Sequence, residues 1–145
     1  MLITVRELLK SKGGGVLSVH PESTVYEALQ IMAERNVGAL LVFDSAKLVG
    51  IFSERDYARK LVLRGKFSRT TKVKEVMTEE VITVSPEENI EQCMDIMTNS
   101  RIRHLPVVQQ NTVVGLISIG DIVKAIISDQ KFTIDVLEHY ITGTY

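Results

Sequence analysis

The chain is short of cysteine, of aromatic rings, of net charge and of long apolar runs, and each shortage removes a class of protein. Cys93 is the only cysteine among 145 residues, which excludes an internal disulfide and a multi-cysteine zinc site and fits a reducing, cytoplasmic setting. No apolar stretch approaches the roughly 18 to 20 residues that a membrane-spanning helix needs, so no membrane role is expected. The N-terminus lacks the basic start, apolar run and small-residue cleavage site of a signal peptide. A formal charge of −1 exerts no overall pull on nucleic acid, and 6% aromatic residues leave few rings to stack on bases. Missing too are a nucleophile–base–orienter set, metal-ligand spacing and a GxxxxGK phosphate loop, so the chain is not expected to be an enzyme. His20 and His139 have no catalytic company.

What is present is 45% hydrophobic residues in a chain of 145. That length buries roughly two thirds of its unfolded surface, so a compact globular protein needing no staple is expected. The near-neutral total hides a basic stretch from Arg55 to Lys74. Arg55, Arg59, Lys60, Arg64, Lys66, Arg69, Lys72 and Lys74 lie there against one acid, Asp56. It reads either as a solvated helix face running into a basic linker or as an anion-attracting rim beside a binding site.

Self-similarity decides the architecture. Residues 16 to 62 align with residues 81 to 127 without a gap, at an offset of 65. Val19-His20-Pro21-Glu22 matches Val84-Ser85-Pro86-Glu87, Ile31-Met32 matches Ile96-Met97, and Val49-Gly50 matches Val114-Gly115. The lead-in repeats as well, Thr4-Val5-Arg6-Glu7 against Lys72-Val73-Lys74-Glu75 at an offset of 68, with Gly13-Gly14-Gly15 accounting for the difference. One unit therefore occurs twice: residues 1–71 hold the first repeat with its lead-in and basic linker, 72–128 the second, and 129–145 a helical tail.

Each repeat runs strand, helix, strand, strand, helix. Thr24-Val25-Tyr26-Glu27 has capping-box spacing, and Val25, Ala28, Leu29 and Met32 then form a stripe at helical period. Asn89, Ile90, Cys93, Met94 and Met97 repeat the pattern, which makes Cys93 and the methionines core residues. Ala39–Phe43, Leu48–Phe52, Leu105–Val108 and Val113–Ser118 read as strands. The second of each pair feeds a helix, Asp56–Leu63 or Asp121–Ile127. A further helix, Ile134–Ile141, aligns Ile134, Leu137 and Ile141 for packing or for dimer contact, with Gly143 as its stop. A half of about 60 residues buries only a marginal core, so the halves are expected to pack around an approximate two-fold axis and leave a cleft.

At both strand-to-helix junctions stands Gly-h-h-Ser-x-x-Asp, where h is apolar: Gly50 to Asp56 and Gly115 to Asp121. The spacing supports two roles. Ser-x-x-Asp is a capping box, in which the hydroxyl and the carboxylate each satisfy a backbone N–H. The same helix N-terminus offers N–H groups and partial positive charge to a phosphate, and the carboxylate can accept from two ribose hydroxyls.

The two junctions, the starts Val19 to Pro21 and Val84 to Pro86, and Ile102-Arg103-His104-Leu105-Pro106-Val107-Val108 together resemble a CBS domain pair, over nearly the whole chain. The resemblance implies a mixed α/β fold of two repeats with pseudo-two-fold symmetry and an extra C-terminal helix. It also implies a cleft for AMP, ADP, ATP, NAD(H) or S-adenosylmethionine, and pairing of two copies into a disc-like homodimer. By the same resemblance Asp56 and Asp121 accept ribose hydroxyls, Ser53 and Ser118 hold the ribose-phosphate, and Ser18, Val19, Thr83 and Val84 reach adenine through the backbone. Each pocket is composite, Asp121 working with the Ser18 region and Asp56 with the Thr83 region. Arg103 and His104 face phosphate in one pocket, where the other has Gly38 and Ala39 and must rely on Arg55 or a neighbour. His104 also suits a half-buried histidine satisfied by the backbone.

The expected function is a nucleotide-sensing regulator, and because lead-in, repeats and tail occupy the whole sequence, its output is expected to pass to a separate, unknown protein. Its rivals are a nucleic-acid-binding protein using the basic stretch and a structural dimerisation unit with degenerate pockets. The first predicts steep salt dependence of DNA or RNA binding.

Overall fold

The structure, a computed structural model, describes residues 3–13 and 15–142. The chain divides into two compact units, Gly15–Thr83 and Met1–Gly14 with Val84–Tyr145; they are called here the first and second bodies. These do not follow the order of the repeats along the chain. Each body is built from one repeat and the lead-in that precedes the other.

In the first body, β1 (Ser18–Val19) runs parallel to β2 (Ala39–Asp44), which pairs antiparallel with β3 (Lys47–Ser53). Helix α2 (Val25–Arg35) covers this sheet, and α3 (Glu54–Asp56) continues as a π-helical turn, Tyr57–Val62. The short α4 (Val73–Val76) completes the body. The second body has α1 (Val5–Lys12), α5 (Ile90–Ser100), the hairpin β4 (His104–Gln109) and β5 (Thr112–Ser118), and α6 (Ile119–Thr142). Val84 bridges in parallel to Val107, standing where β1 stands in the other body.

The local reasons are those the repeat suggests. The Thr24 hydroxyl accepts from the Glu27 N–H, and Asn89 and Gln92 form a reciprocal capping box at the start of α5. Asn36 and Arg101, repeat counterparts, end their helices in the left-handed region at φ 53° and 54°. Gln110 and Asn111 both have positive φ, as a two-residue hairpin turn whose twist suits its strands requires. Val25, Ala28, Met32, Leu40, Val42 and Phe52 form the first core, and Ile90, Cys93, Met97, Leu105, Val107 and Ile117 the second. Cys93 is a core residue, its thiol pushed up to about 11 by burial and by the nearby Glu88.

The exchange of lead-ins is held by matched backbone bonds. Val5 N–H donates to Glu88 O at 2.8 Å and Arg6 N–H to Pro86 O at 3.0 Å; Val73 N–H donates to Ser23 O at 2.8 Å and Lys74 N–H to Pro21 O at 3.0 Å. Arg6 pairs with Glu87, and Lys74 with Glu22, its counterpart. Val5 and Val73 are both fully buried, each in the core of the body it joins. The compact units follow burial of these lead-in side chains and not the order of the repeats along the chain.

One further expectation is corrected and one alternative narrowed. The second repeat's helix and the tail helix are one continuous element, α6, because residues 128–133 contain no Gly or Pro to break it. The stripe read as serving packing or dimer contact is not packed within the chain, Ile134, Leu137 and Ile141 being 53, 54 and 80% accessible. Gly143, expected as the stop, lies outside the described residues.

The first glycine of the pattern shared by the two repeats is required sterically in each. A Cβ on Gly50 would lie 2.7 Å from Met77 Sδ and 2.9 Å from the Thr78 carbonyl oxygen; one on Gly115 would lie 2.6 Å from Leu9 Cδ2. Thr78 is backbone-bonded to Ile51 and cannot retreat, whereas the Leu9 side chain can rotate. Gly50→Ala should therefore cost about 1–3 kcal/mol and Gly115→Ala distinctly less. Urea midpoints measure both, and a Gly115→Ala cost equal to or above that of Gly50→Ala would contradict the packing described.

Candidate functional site

Each strand-to-helix junction presents a serine, an acid and the residue that opens the middle strand. Ser53 N–H donates to Asp56 Oδ2 at 3.0 Å and Asp56 N–H to Ser53 Oγ at 3.3 Å; the Ser118–Asp121 pair repeats this at 2.8 and 3.1 Å. Both acids are thus true capping-box members. The first helical N–H of each junction reaches back across the sheet, Glu54 to Gly38 O at 3.1 Å and Ile119 to Arg103 O at 2.9 Å. Strand register then sets Ala39 opposite Ser53 and His104 opposite Ser118. In this way the second body brings Arg103, His104, Ser118 and Asp121 together, with Val84 on the neighbouring strand position.

The first body gathers Gly38, Ala39, Ser53 and Asp56 by the same geometry. Ser18 and Val19 pair with Leu41 and Val42, Val19 buried and Ser18 exposed. Arg55 and Thr83 are exposed. Gly38 forms part of the wall of a hollow of about 310 Å³ with Leu29, Met32, Ala33, Val37 and Glu54. That lining is mainly apolar and holds no basic side chain.

The two acids differ in their surroundings. Asp56 is only 8% exposed, and both of its oxygens are engaged: Oδ2 by Ser53 N–H and Oγ, Oδ1 by the Thr78 hydroxyl at 3.0 Å and by Lys60 Nζ at 3.0 Å. Asp121, 19% exposed, receives Lys12 Nζ on Oδ2 at 2.8 Å, and the same ammonium donates to Leu116 O at 2.6 Å. Lys60, Thr78 and Lys12 were not foreseen from the sequence. Lys60 could have been, since it stands one turn after Asp56. Thr78 and Lys12 carry no local signal.

Electrostatics follow the geometry. Burial pushes the Asp121 carboxyl up, but the Lys12 ammonium and the Ser118 N–H and hydroxyl outweigh it and hold the group below its ordinary 3.8. His104 is lowered from 6.5, first by burial and then by Lys12 and Arg103, against the opposing pull of Asp121. Its imidazole is therefore neutral at pH 7 and can donate one hydrogen bond.

The basic stretch of the first body is largely occupied. Lys60 meets Asp56, Lys66 meets Glu75, and Lys72 and Lys74 converge on Glu22 at 2.6 and 2.5 Å, which holds that carboxyl at about 2. Arg69 lies 4.1 Å above the Tyr26 ring. Among the described residues no cluster of three or more His, Cys, Asp or Glu could hold a metal, and no helix is long and apolar enough to cross a membrane.

Known proteins match this arrangement. A family model described as the CBS domain matches residues 5–63 and 73–128. A mitochondrial CBS domain-containing protein of Arabidopsis thaliana is 41% identical over 151 residues, spanning 98% of this chain and 73% of that protein. A crystal structure of a CBS domain superposes with a TM-score of 0.85 at 46% identity, covering 88% of this chain and 99% of that one. Another, a CBS domain pair in complex with 5′-methylthioadenosine and S-adenosyl-L-methionine, superposes with a TM-score of 0.77 at 26% identity, over 89 and 99%.

Both shifted groups make the second body more stable at neutral pH than in acid. Asp121 contributes above its ordinary 3.8 and loses that contribution as pH falls through its lower folded value; His104 costs stability as pH falls from 6.5, because the unfolded chain takes up that proton before the folded one does. Lys12→Met should raise both pKa values, read as NMR titrations of the Asp121 carboxyl carbon and the His104 ring. Titrations that stay in place would show that the ammonium does not sit beside Asp121 in solution.

Proposed function

The chain belongs to the CBS domain family, and from that premise we propose that it binds an adenine nucleotide at the Asp121 junction and regulates a separate protein. The observation that carries this reading is the gathering of Arg103, His104 and Lys12 beside Asp121 at the N-terminus of a helix of 24 residues. A carboxylate there suits ribose hydroxyls, while the helix N-terminus and the basic side chains suit phosphate. A structural relative holds adenosine-containing ligands.

AMP, ADP, ATP and NAD(H) combine adenosine with phosphate and fit both parts of this site, whereas S-adenosylmethionine uses only one. Ser118 supports the ribose at that junction. The Asp56 junction is the weaker site: its carboxylate is fully engaged, and Gly38 and Ala39 provide neither the charge of Arg103 nor the ring donor of His104. There Ser53 serves mainly as a cap, with Arg55 and Lys60 as the cations within reach. The role is regulatory and non-catalytic, in a reducing compartment, the cytoplasm. Nucleic-acid binding through residues 55–74 is disfavoured because Lys60, Lys66, Arg69, Lys72 and Lys74 already have partners in the first body.

Self-association into a homodimer belongs to the same reading. Val123, Ile127, Ile134, Leu137 and Ile141 are exposed on α6 at steps of four, seven, three and four, the spacing of a helix-pairing seam with Gln130 in its gap. Leu137→Asp should convert a dimer to a monomer in analytical ultracentrifugation; a mass unchanged by it would place self-association elsewhere.

Thermal unfolding with AMP, ADP, ATP, NAD, NADH and S-adenosylmethionine tests the ligand reading. At 100 times its dissociation constant a ligand should add about 2.7 kcal/mol to the folded state, a rise of several degrees. Asp121→Asn should abolish the rise and Asp56→Asn should leave most of it. No shift with any nucleotide would leave the structural-dimer reading in its place.

A further inference from the structure

Lys12 is the last residue of α1 and is followed by Gly13 at φ +90°. Its ammonium bridges Asp121 Oδ2 and Leu116 O, and its field reaches His104. It therefore occupies one oxygen of the carboxylate that the nucleotide reading gives to the ribose, and it does so from a lead-in segment more than a hundred positions away in the sequence. A ribose whose two hydroxyls take both carboxylate oxygens of Asp121 must displace it.

The first body reaches the same end with a different residue. Lys60 meets Asp56, but the offset of 65 carries Lys60 to Ala125, and the offset of 68 carries Lys12 to Glu80. The two lysines are not repeat counterparts, so inheritance of the repeat does not account for a cation at each acid. Helix capping does not account for it either, because the capping box is complete from Ser118 and Asp121 alone.

Displacing Lys12 strands a cation beside Arg103 unless something anionic receives it. An uncharged nucleoside offers nothing in return, so its binding carries the whole loss of the ion pair. A nucleotide exchanges one ion pair for another: its hydroxyls take the carboxylate, and its phosphate takes the ammonium on a flexible stem. The side chain is 39% exposed and has room to swing.

We propose that Lys12 selects phosphorylated adenosine ligands over uncharged nucleosides at the Asp121 junction, guarding the carboxylate until a phosphate draws the ammonium away. The inference rests on the nucleotide reading of that junction and adds a specificity-determining residue to it. Sulfonium ligands such as S-adenosylmethionine, cationic where the nucleotides are anionic, fall on the disfavoured side.

Calorimetric titration of AMP and of adenosine into the wild-type protein, Lys12→Met and Lys12→Arg tests this. The methionine keeps the length of the apolar stem, and the arginine keeps the charge. Lys12→Met should weaken AMP by about tenfold, equivalent to about 1.4 kcal/mol, and tighten adenosine by a few-fold. Lys12→Arg should retain most of the preference for AMP. Equal changes for AMP and adenosine in Lys12→Met would overturn the role of Lys12 while leaving the nucleotide site intact. Wild-type protein that binds neither compound would overturn the nucleotide reading itself, and this inference with it.

Discussion

The burial of one lead-in valine in each body is the constraint on which the remaining structure depends. Val5 and Val73 have no access to solvent, and each, with Leu8 or Val76 of its own lead-in, lies in a core otherwise built from the opposite repeat. A half of this size cannot close a core alone. Once the valine is placed, the backbone bonds to Pro86 and Glu88, or to Pro21 and Ser23, follow, and so do the ion pairs to Glu87 and Glu22. Those exposed pairs add little energy but help set the register of the lead-in. The glycines at 50 and 115 are the other side of the same constraint, since side chains there would meet the segments that pass over them.

Placing the lead-in also places the chemistry. α1 ends at Lys12, and the seating of its Leu9 over Gly115 brings that end to Asp121. In the first body the segment after α4 brings Thr78 to Asp56. The same packing therefore leaves one carboxylate fully engaged and the other held on one oxygen by a partly exposed ammonium. This asymmetry separates two junctions whose motif is shared. A carboxylate with four donors and little exposure behaves as structure, and one with a displaceable cation can exchange partners.

Much of the fold was legible because its signals are local or repeated. The hairpins at 39–53 and 104–118, the caps at Thr24 and Asn89, and the burial of Cys93 follow from alternation, capping residues and helical period. Both readings of Ser-x-x-Asp remained open in the sequence because the geometry of a cap and of an anion site is the same geometry. The structure fills in the cap; the family and the basic side chains at Asp121 support the ligand. The role of the tail stayed open for a physical reason: a stripe of Ile134, Leu137 and Ile141 looks the same whether its partner is the chain's own core or another helix.

By itself the sequence determined the repeat, the order of elements within it, the pair of acids at helix starts, and the difference between Arg103-His104 and Gly38-Ala39. These are properties of neighbouring residues and of one segment compared with another. Only the tertiary structure decided which lead-in joins which repeat, that α6 runs unbroken from Asp121 into an exposed stripe, and that Lys12 reaches Asp121. Contacts across such separations depend on which apolar surfaces find each other on folding, and no local pattern of residues encodes that choice.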